Sequence, residues 1–387
     1  MITRFAVWSK LPLVLTVLLA LAFLAGGLTR PAFNYDLLPY AALSKEMRGA
    51  GGKHETYREL QAQLGRSRFE TLFLGIPYKE RMLADDKFFQ ANLPFYRVKP
   101  LYVFLCSLLA RLIGSDVVAI QVLSSLATAA SVLLSWAIVR RLSAPTGMWQ
   151  LALPLSWAVA GGLNLAQLST PDALAALLAL LLVWIALAES WTALRAACLI
   201  LTAVLLVAAR TDAALLVAAL CACEAIFRPN HRRVALMIGV AALASSFAIN
   251  QLMGSYSYVA LLNFTFVDHD RLLVPDFVPR PLGYVRALLF GITQLLNADY
   301  GGGGLLVLAV SLSAVVAARE RRLRSSSEGG RSNAAVLAVS AALILYLVAR
   351  FVLFPEPVAR FMTGIYVLAG VLFARALQSM AGRDAAP

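Results

Sequence analysis

Long runs of apolar residues alternate with short polar connectors along most of this chain. Runs close to the roughly 20 apolar residues that a helix needs to cross a membrane predict about ten spans. Two longer polar stretches, 29–98 and 254–300, interrupt the series. The pattern predicts an all-α polytopic membrane protein whose first polar stretch carries one or two short surface-lying helices. The expected spans lie near 10–28, 116–139, 148–168, 172–188, 193–209, 212–227, 234–252, 302–318, 333–354 and 360–378.

Composition supports the same class. The 387 residues are 60% hydrophobic and 14% charged, with a mean hydropathy of +0.75, whereas soluble domains carry roughly 25% charged residues. The net charge of +13 comes with arginines in short connectors between apolar runs, so membrane topology explains it without a nucleic-acid partner. The apolar run 11–28 exceeds the roughly 7–15 residues of a signal-peptide core, which indicates a retained transmembrane helix.

Three tight basic groups predict how the chain crosses the membrane, because basic connectors stay cytoplasmic. Segment 100–114 is apolar but only about 15 residues long, which is marginal for a membrane span. Counting it as a span would place the basic groups on the outer side of the membrane. It is therefore predicted as an interfacial helix at the outer surface. Both termini are then cytoplasmic, and the stretches 29–98 and 254–300 face outside. The groups are Arg140 and Arg141, then Arg228, His231, Arg232 and Arg233, then Arg319, Arg321, Arg322 and Arg324.

Two carboxylates on the predicted outer face are candidate catalytic groups. Asp36 follows the first helix directly, where a carboxylate can act as general base toward an acceptor hydroxyl. A solvated loop acid is the competing interpretation. Asp172 begins a predicted span after Pro171, and stabilisation of the helix dipole explains it without any function.

Four cations on the same face are candidate ligands of a phosphate. Arg97 and Lys99 enter the interfacial helix, where a guanidinium fork and an ammonium suit a phosphate at headgroup depth. Contact with lipid headgroups is the alternative. Arg210 lies beside Asp212 in a brief break between spans. The two residues could neutralise each other as an ion pair, or Arg210 could bind an anionic group. Arg360 lies in the last outer turn.

Two further polar features lie in apolar or outward-facing segments. Arg350 sits inside an apolar run and therefore needs a partner or a polar cavity. Asp268, His269 and Asp270 could together bind a divalent cation such as Mg²⁺ or Mn²⁺. Three adjacent residues seldom converge on one ion without help, so a solvated loop is the simpler interpretation. The sequence predicts no other cofactor.

These pieces, in this order, resemble the GT-C superfamily of polyprenyl-phosphate-dependent glycosyltransferases. That superfamily includes lipid A aminoarabinose transferases, protein O-mannosyltransferases and the catalytic subunit of oligosaccharyltransferase. The resemblance covers roughly 1–235 by order and topology, and the C-terminal third matches only through Arg360 and Phe361. The residues that carry it are Asp36, the Lys99-Pro100 entry with Leu101 and Tyr102, Gly114, Arg140 with Arg141, and Asp172.

The resemblance implies roles for three of these residues. Asp36 would lie beside the acceptor as general base or orienting carboxylate, Lys99 would contact the lipid-linked phosphate, and Asp172 would complete a polar cavity. Asp172 stands alone where oligosaccharyltransferases carry a DxD motif, and no large C-terminal soluble domain follows. Both departures favour a monophosphate-linked donor and leave a metal requirement open.

The predicted protein is an inverting glycosyltransferase of a bacterial inner membrane, with its active site facing outward. Its partners would be a polyprenyl-phosphate-linked sugar, the bilayer, and a glycan, lipid or protein acceptor. Residues 1–235 would form the catalytic module, and 236–387 the remaining helices with the loop 254–300. A flippase or transporter of a lipid-linked anion is the alternative, although its ionisable groups should lie at mid-membrane in matching halves. A non-catalytic membrane scaffold is a third interpretation.

Overall fold

The computed structural model describes residues 2–142, 150–188, 191–267, 278–296, 313, 315, 328–355 and 359–384. Within these ranges every regular element is helical, as predicted. In chain order the α-helices are α1 Ile2–Thr29, α2 Leu37–Arg48, α3 Lys53–Leu64, α4 Arg66–Phe73, α5 Pro77–Ala84, α6 Asp86–Asn92, α7 Pro94–Arg97, α8 Pro100–Ile113, α9 Asp116–Arg141, α10 Ala152–Val159, α11 Gly162–Gln167, α12 Asp172–Ala186, α13 Ala193–Ala209, α14 Ala214–Phe227, α15 Arg232–Leu252, α16 Tyr258–Phe266, α17 Pro281–Leu296, α18 Glu328–Leu353 and α19 Ala359–Asp384.

Four described helices are long and apolar enough to cross a membrane: Leu11–Thr29, Asp116–Arg141, Pro229–Leu252 and Ala334–Leu353. A fifth span results if Asp86–Arg97 and Pro100–Ile113, which are bent by 103°, act as one. Three shorter apolar helices lie at Asp172–Ala186, Ala193–Ala209 and Met362–Gln378. The expected span 302–318 falls outside the described residues, so the number ten stays a prediction.

The prediction of one continuous helix over 148–168 is wrong. It forms the short helices α10 and α11, separated at Ala160 and Gly161. Gly161 adopts a left-handed backbone, with φ of 77°, which other residues reach only at a cost. The apolar run gave no sign of this break, because hydropathy does not report backbone conformation.

The stretch 29–98 forms six short helices, α2 to α7, where one or two were expected. The predicted helix at 100–114 is confirmed in its bounds. It begins at Pro100, since proline suits the first turn of a helix. It ends at Gly114, whose φ of 85° is the left-handed conformation of a C-terminal cap.

Close packing of α1 fixes where the first polar stretch begins. Gly27 lies so near α9 and α11 that a Cβ there would be 2.3 Å from Ser125 Oγ and 2.7 Å from Ala166 O. Gln121 Nε2 of α9 donates to the carbonyl oxygens of Gly27, at 2.9 Å, and Leu28, at 2.5 Å. These contacts hold the C-terminal end of α1, and therefore the start of the segment that carries Asp36.

A buried ionic network joins the first surface helices to the bundle. Asp116, which is fully buried at the start of α9, accepts a hydrogen bond from Ser44 Oγ at 2.5 Å. It also pairs with Lys45 at 3.0 Å and Arg48 at 2.5 Å, both on α2. Glu59 of α3 pairs with Lys45 at 2.6 Å. Because removal of one partner would strand buried charge, the network holds α2 and α3 firmly onto α9.

Two of the three basic groups lie at one end of the bundle. Arg141 Nη1 donates to the carbonyl of Trp184 at 2.7 Å, and Arg228 Nη1 donates to that of Ala186 at 2.9 Å. Both carbonyls belong to the last turn of α12, while Asp172 is its first residue. A 15-residue helix separates the two ends by about 22 Å. The third group, 319–324, lies outside the described residues.

Candidate functional site

Six side chains of alternating charge form a connected row at the other end of the bundle. They come from segments that are far apart in sequence, near the C-terminal ends of α1, α13 and α18 and the N-terminal ends of α12 and α19. Each carboxylate contacts a guanidinium and each guanidinium a carboxylate. In order, the row runs Asp36, Arg360, Asp172, Arg210, Asp212 and Arg350.

Asp36 lies immediately before α2 and is only 8% exposed. Tyr96 OH donates to Oδ1 at 3.1 Å, and Asn34 Nδ2 donates to Oδ2 at 3.0 Å. Arg360 Nη1 lies 3.4 Å from Oδ2. The carboxylate is thus oriented by three donors and protected from bulk water. A carboxylate fixed in this way can accept a proton from a nearby hydroxyl.

Asp172 is 4% exposed at the first position of α12. Its Oδ1 accepts a hydrogen bond from Arg210 Nη1. Its Oδ2 accepts one from Thr170 Oγ1 at 2.7 Å and lies 3.6 Å from Arg360 Nε. The helix-dipole interpretation explains the position of this residue on α12, but these contacts also give the carboxylate a tertiary role, since it joins two arginines from other helices.

Arg210 follows α13 in an extended conformation and is held by a bidentate contact with Asp212. Its Nε donates to Oδ1 at 2.9 Å and its Nη2 to Oδ2 at 2.7 Å. The guanidinium thereby compensates the charge of a carboxylate whose side chain is 39% exposed. Arg350 of α18, which is 4% exposed, has its Nε 3.9 Å from Asp212 Oδ2. Asp212 is therefore one of the groups that compensate the charge of Arg350 in its apolar surroundings.

Lys99 lies in the break between α7 and α8, outside the four candidate spans, and adjoins the row through Tyr96. Its Nζ donates to the carbonyl of Phe95 at 2.5 Å and lies 5.3 Å from the ring centre of Tyr96 and 5.7 Å from that of Tyr40. Burial lowers the pKa of Lys99 to about 8, and the positive charge of Arg210 acts in the same direction. The two tyrosine rings offset part of that cost.

Arg97 is not brought to this cluster, although the sequence placed it with Lys99. It ends α7, is partly exposed, and pairs with Glu46 of α2 at 3.1 Å. The turn between Arg97 and Pro100 sends the two cations in different directions. The contact of Arg97 with Glu46 is a surface ion pair, and such pairs contribute about 0–1 kcal/mol to the free energy of folding.

Sequence reasoning missed the neutral members of the site. Asn34, Tyr96 and Thr170 each donate to a carboxylate of the row. Neutral polar residues are common at the ends of apolar runs, so nothing in the sequence separated these three from the rest. The weaker metal candidates Asp268, His269 and Asp270 lie outside the described residues. Within the part of the chain that the structure describes, no group of three His, Cys, Asp or Glu residues could hold a metal ion.

The described cluster carries an excess of positive charge. Four cations, Lys99, Arg210, Arg350 and Arg360, accompany three carboxylates, Asp36, Asp172 and Asp212. Such a partly buried site favours an anionic ligand while it keeps a carboxylate available for proton transfer. The chain matches no family model, no curated protein and no solved structure.

Proposed function

We propose that this protein is an integral-membrane inverting glycosyltransferase of GT-C type, with about ten spans. It transfers a sugar from a polyprenyl phosphate to an acceptor hydroxyl on the extracytoplasmic side of a bacterial inner membrane. The observation that carries the proposal is the contact of Arg360 with both Asp36 and Asp172, beside Arg210. This brings candidate base and candidate phosphate ligands into one site.

The sidedness of the cluster supports a lipid-linked donor. The cluster lies at the end of α12 opposite Arg141 and Arg228, and basic connectors remain in the cytoplasm. The proposed site is therefore extracytoplasmic, where nucleotide sugars are not supplied. A sugar on a polyprenyl phosphate reaches such a site laterally through the bilayer, with its phosphate at headgroup depth.

The proposed reaction is a single displacement at the anomeric carbon. The acceptor oxygen attacks that carbon as its proton passes to Asp36, and the bond between the carbon and the phosphate oxygen breaks. The phosphate leaves with the bonding electron pair, so the configuration inverts. Lys99, Arg210 and Arg360 neutralise the charge that develops on the leaving phosphate. Asp172 and Asp212 hold the two arginines in place.

A transfer assay in proteoliposomes tests this function against the transporter alternative. The probe is a polyprenyl phosphate sugar labelled in the sugar, with a mixed pool of envelope glycans and lipids as acceptor. We expect the label to appear in the acceptor together with an equal amount of unlabelled polyprenyl phosphate. Intact labelled donor moved across the bilayer, with no polyprenyl phosphate released, would show a flippase and refute the proposal.

A further inference from the structure

Two of the three arginines of the row, Arg210 and Arg360, are held differently. Arg210 contacts Asp212 at 2.7 and 2.9 Å, whereas Arg360 contacts Asp36 at 3.4 Å and Asp172 at 3.6 Å. The side chain of Arg360 is also more exposed, at 25% against 14%. Longer contacts at a more solvent-exposed position cost less free energy to exchange for other partners. Arg360 is therefore better suited than Arg210 to change partners during a reaction.

The position of Arg360 on its helix also favours an exchange of its carboxylate partner for an anionic ligand. It is the second residue of α19, where the positive end of the helix dipole disfavours a cation and favours an anion. The carboxylates of Asp36 and Asp172 supply that negative charge in the observed arrangement. A phosphate at the same position would satisfy both the guanidinium and the helix terminus.

We propose that Arg360 couples donor binding to activation of the general base. Its guanidinium exchanges from Asp36 to the donor phosphate, while Arg210 stays with Asp212. Asp36 is then held by Tyr96 and Asn34, and its Oδ2, released from the guanidinium, is available to accept the proton of the acceptor hydroxyl. This coupling rests on the proposed function. It predicts that Asp36 competes with the donor phosphate for Arg360.

A double-mutant cycle on binding of polyprenyl phosphate alone tests the competition, since no sugar transfer is needed. The purified protein in nanodiscs is titrated by native mass spectrometry as wild type, Arg360→Ala, Asp36→Asn and the double variant. Arg360→Ala should weaken binding about tenfold. Asp36→Asn should tighten it about fivefold, the equivalent of a partly exposed ion pair. In the Arg360→Ala background the tightening should vanish.

Arg97 and Glu46 form a control, because they are an arginine–carboxylate pair that is exposed and lies outside the row. Arg97→Ala and Glu46→Gln should each bind as the wild type does. Should Asp36→Asn fail to fold in a thermal-unfolding check, Asp172→Asn gives a second measurement, since that carboxylate also contacts Arg360. Because Asp172 also contacts Arg210, only the part of its tightening that Arg360→Ala removes measures the exchange, and that part should be present.

The outcomes separate the two proposals. The coupling would be overturned if neither carboxylate variant changed the binding of polyprenyl phosphate, or if the tightening were equally large without Arg360. Either result would leave the transferase proposal standing. No binding of polyprenyl phosphate by the wild type would overturn both. Loss of the tightening in the double variant, with both control variants unchanged, would support the exchange.

Discussion

Replacement of Asp36 by asparagine tests the candidate base with little change in shape. The carbonyl oxygen of the amide can still accept the hydrogen bond from Tyr96. The second oxygen, which now accepts from Asn34 and lies near Arg360, becomes an amide nitrogen. The variant therefore keeps one of the three contacts, loses the negative charge, and cannot accept a proton from the acceptor hydroxyl.

The expected effects on rate and stability differ in size. General-base assistance contributes roughly 10²–10⁴-fold, or about 2.7–5.5 kcal/mol of the barrier. The lost ion pair involves a 3.4 Å contact to a partly exposed arginine, and such pairs contribute about 0.2–1 kcal/mol to folding. The hydrogen bond from Asn34 to the charged carboxylate adds about 1.5–3 kcal/mol. Turnover should therefore collapse in a protein that still folds.

The assay is sugar transfer by reconstituted protein, with thermal unfolding measured on the same preparations. Asp36→Asn should lose about 10²–10⁴-fold in kcat, and Asp172→Asn should lose less if it mainly positions its arginines. Glu46→Gln serves as the control carboxylate. An active Asp36→Asn beside an inactive Asp268→Asn or Asp270→Asn would refute the assignment. The chemistry would then belong to the loop 254–300, with a metal ion as the better explanation.

Three further predictions address the cations and the topology. Donor affinity should fall as pH rises through about 8, because the Lys99 ammonium is present below its pKa and lost above it; Lys99→Arg should flatten that profile, and an equal slope in both proteins would exclude Lys99. Arg97→Ala should change donor affinity by less than about twofold, since its contact is a surface ion pair; a larger loss would return Arg97 to the site. In a background without the four native cysteines, single cysteines in 40–60 or 262–276 should react with an impermeant thiol reagent from outside, while labelling of 322–331 from outside would overturn the threading.

Helix positions were largely readable from the sequence, because the length of an apolar run and its flanking residues act locally. Pro100 and Gly114 marked the ends of α8 correctly, since both act through their own backbone geometry. The apolar run at 148–168 did not reveal its break, and the polar stretch 29–98 concealed six helices. Short amphipathic helices leave weak periodicity, so their number depends on packing against the bundle.

The sequence by itself also determined which ionisable residues stand at the ends of apolar runs, because a charge within the hydrocarbon core is costly and each such residue is conspicuous. It could not determine which of them meet. Arg360 lies 324 residues from Asp36, and only the packing of α1, α12, α13, α18 and α19 brings the row together. Tertiary structure alone separated Arg97 from Lys99, placed Arg350 beside Asp212, and added Tyr96 to Asp36. Contacts between distant helix ends depend on three-dimensional packing, which hydropathy along the chain does not record.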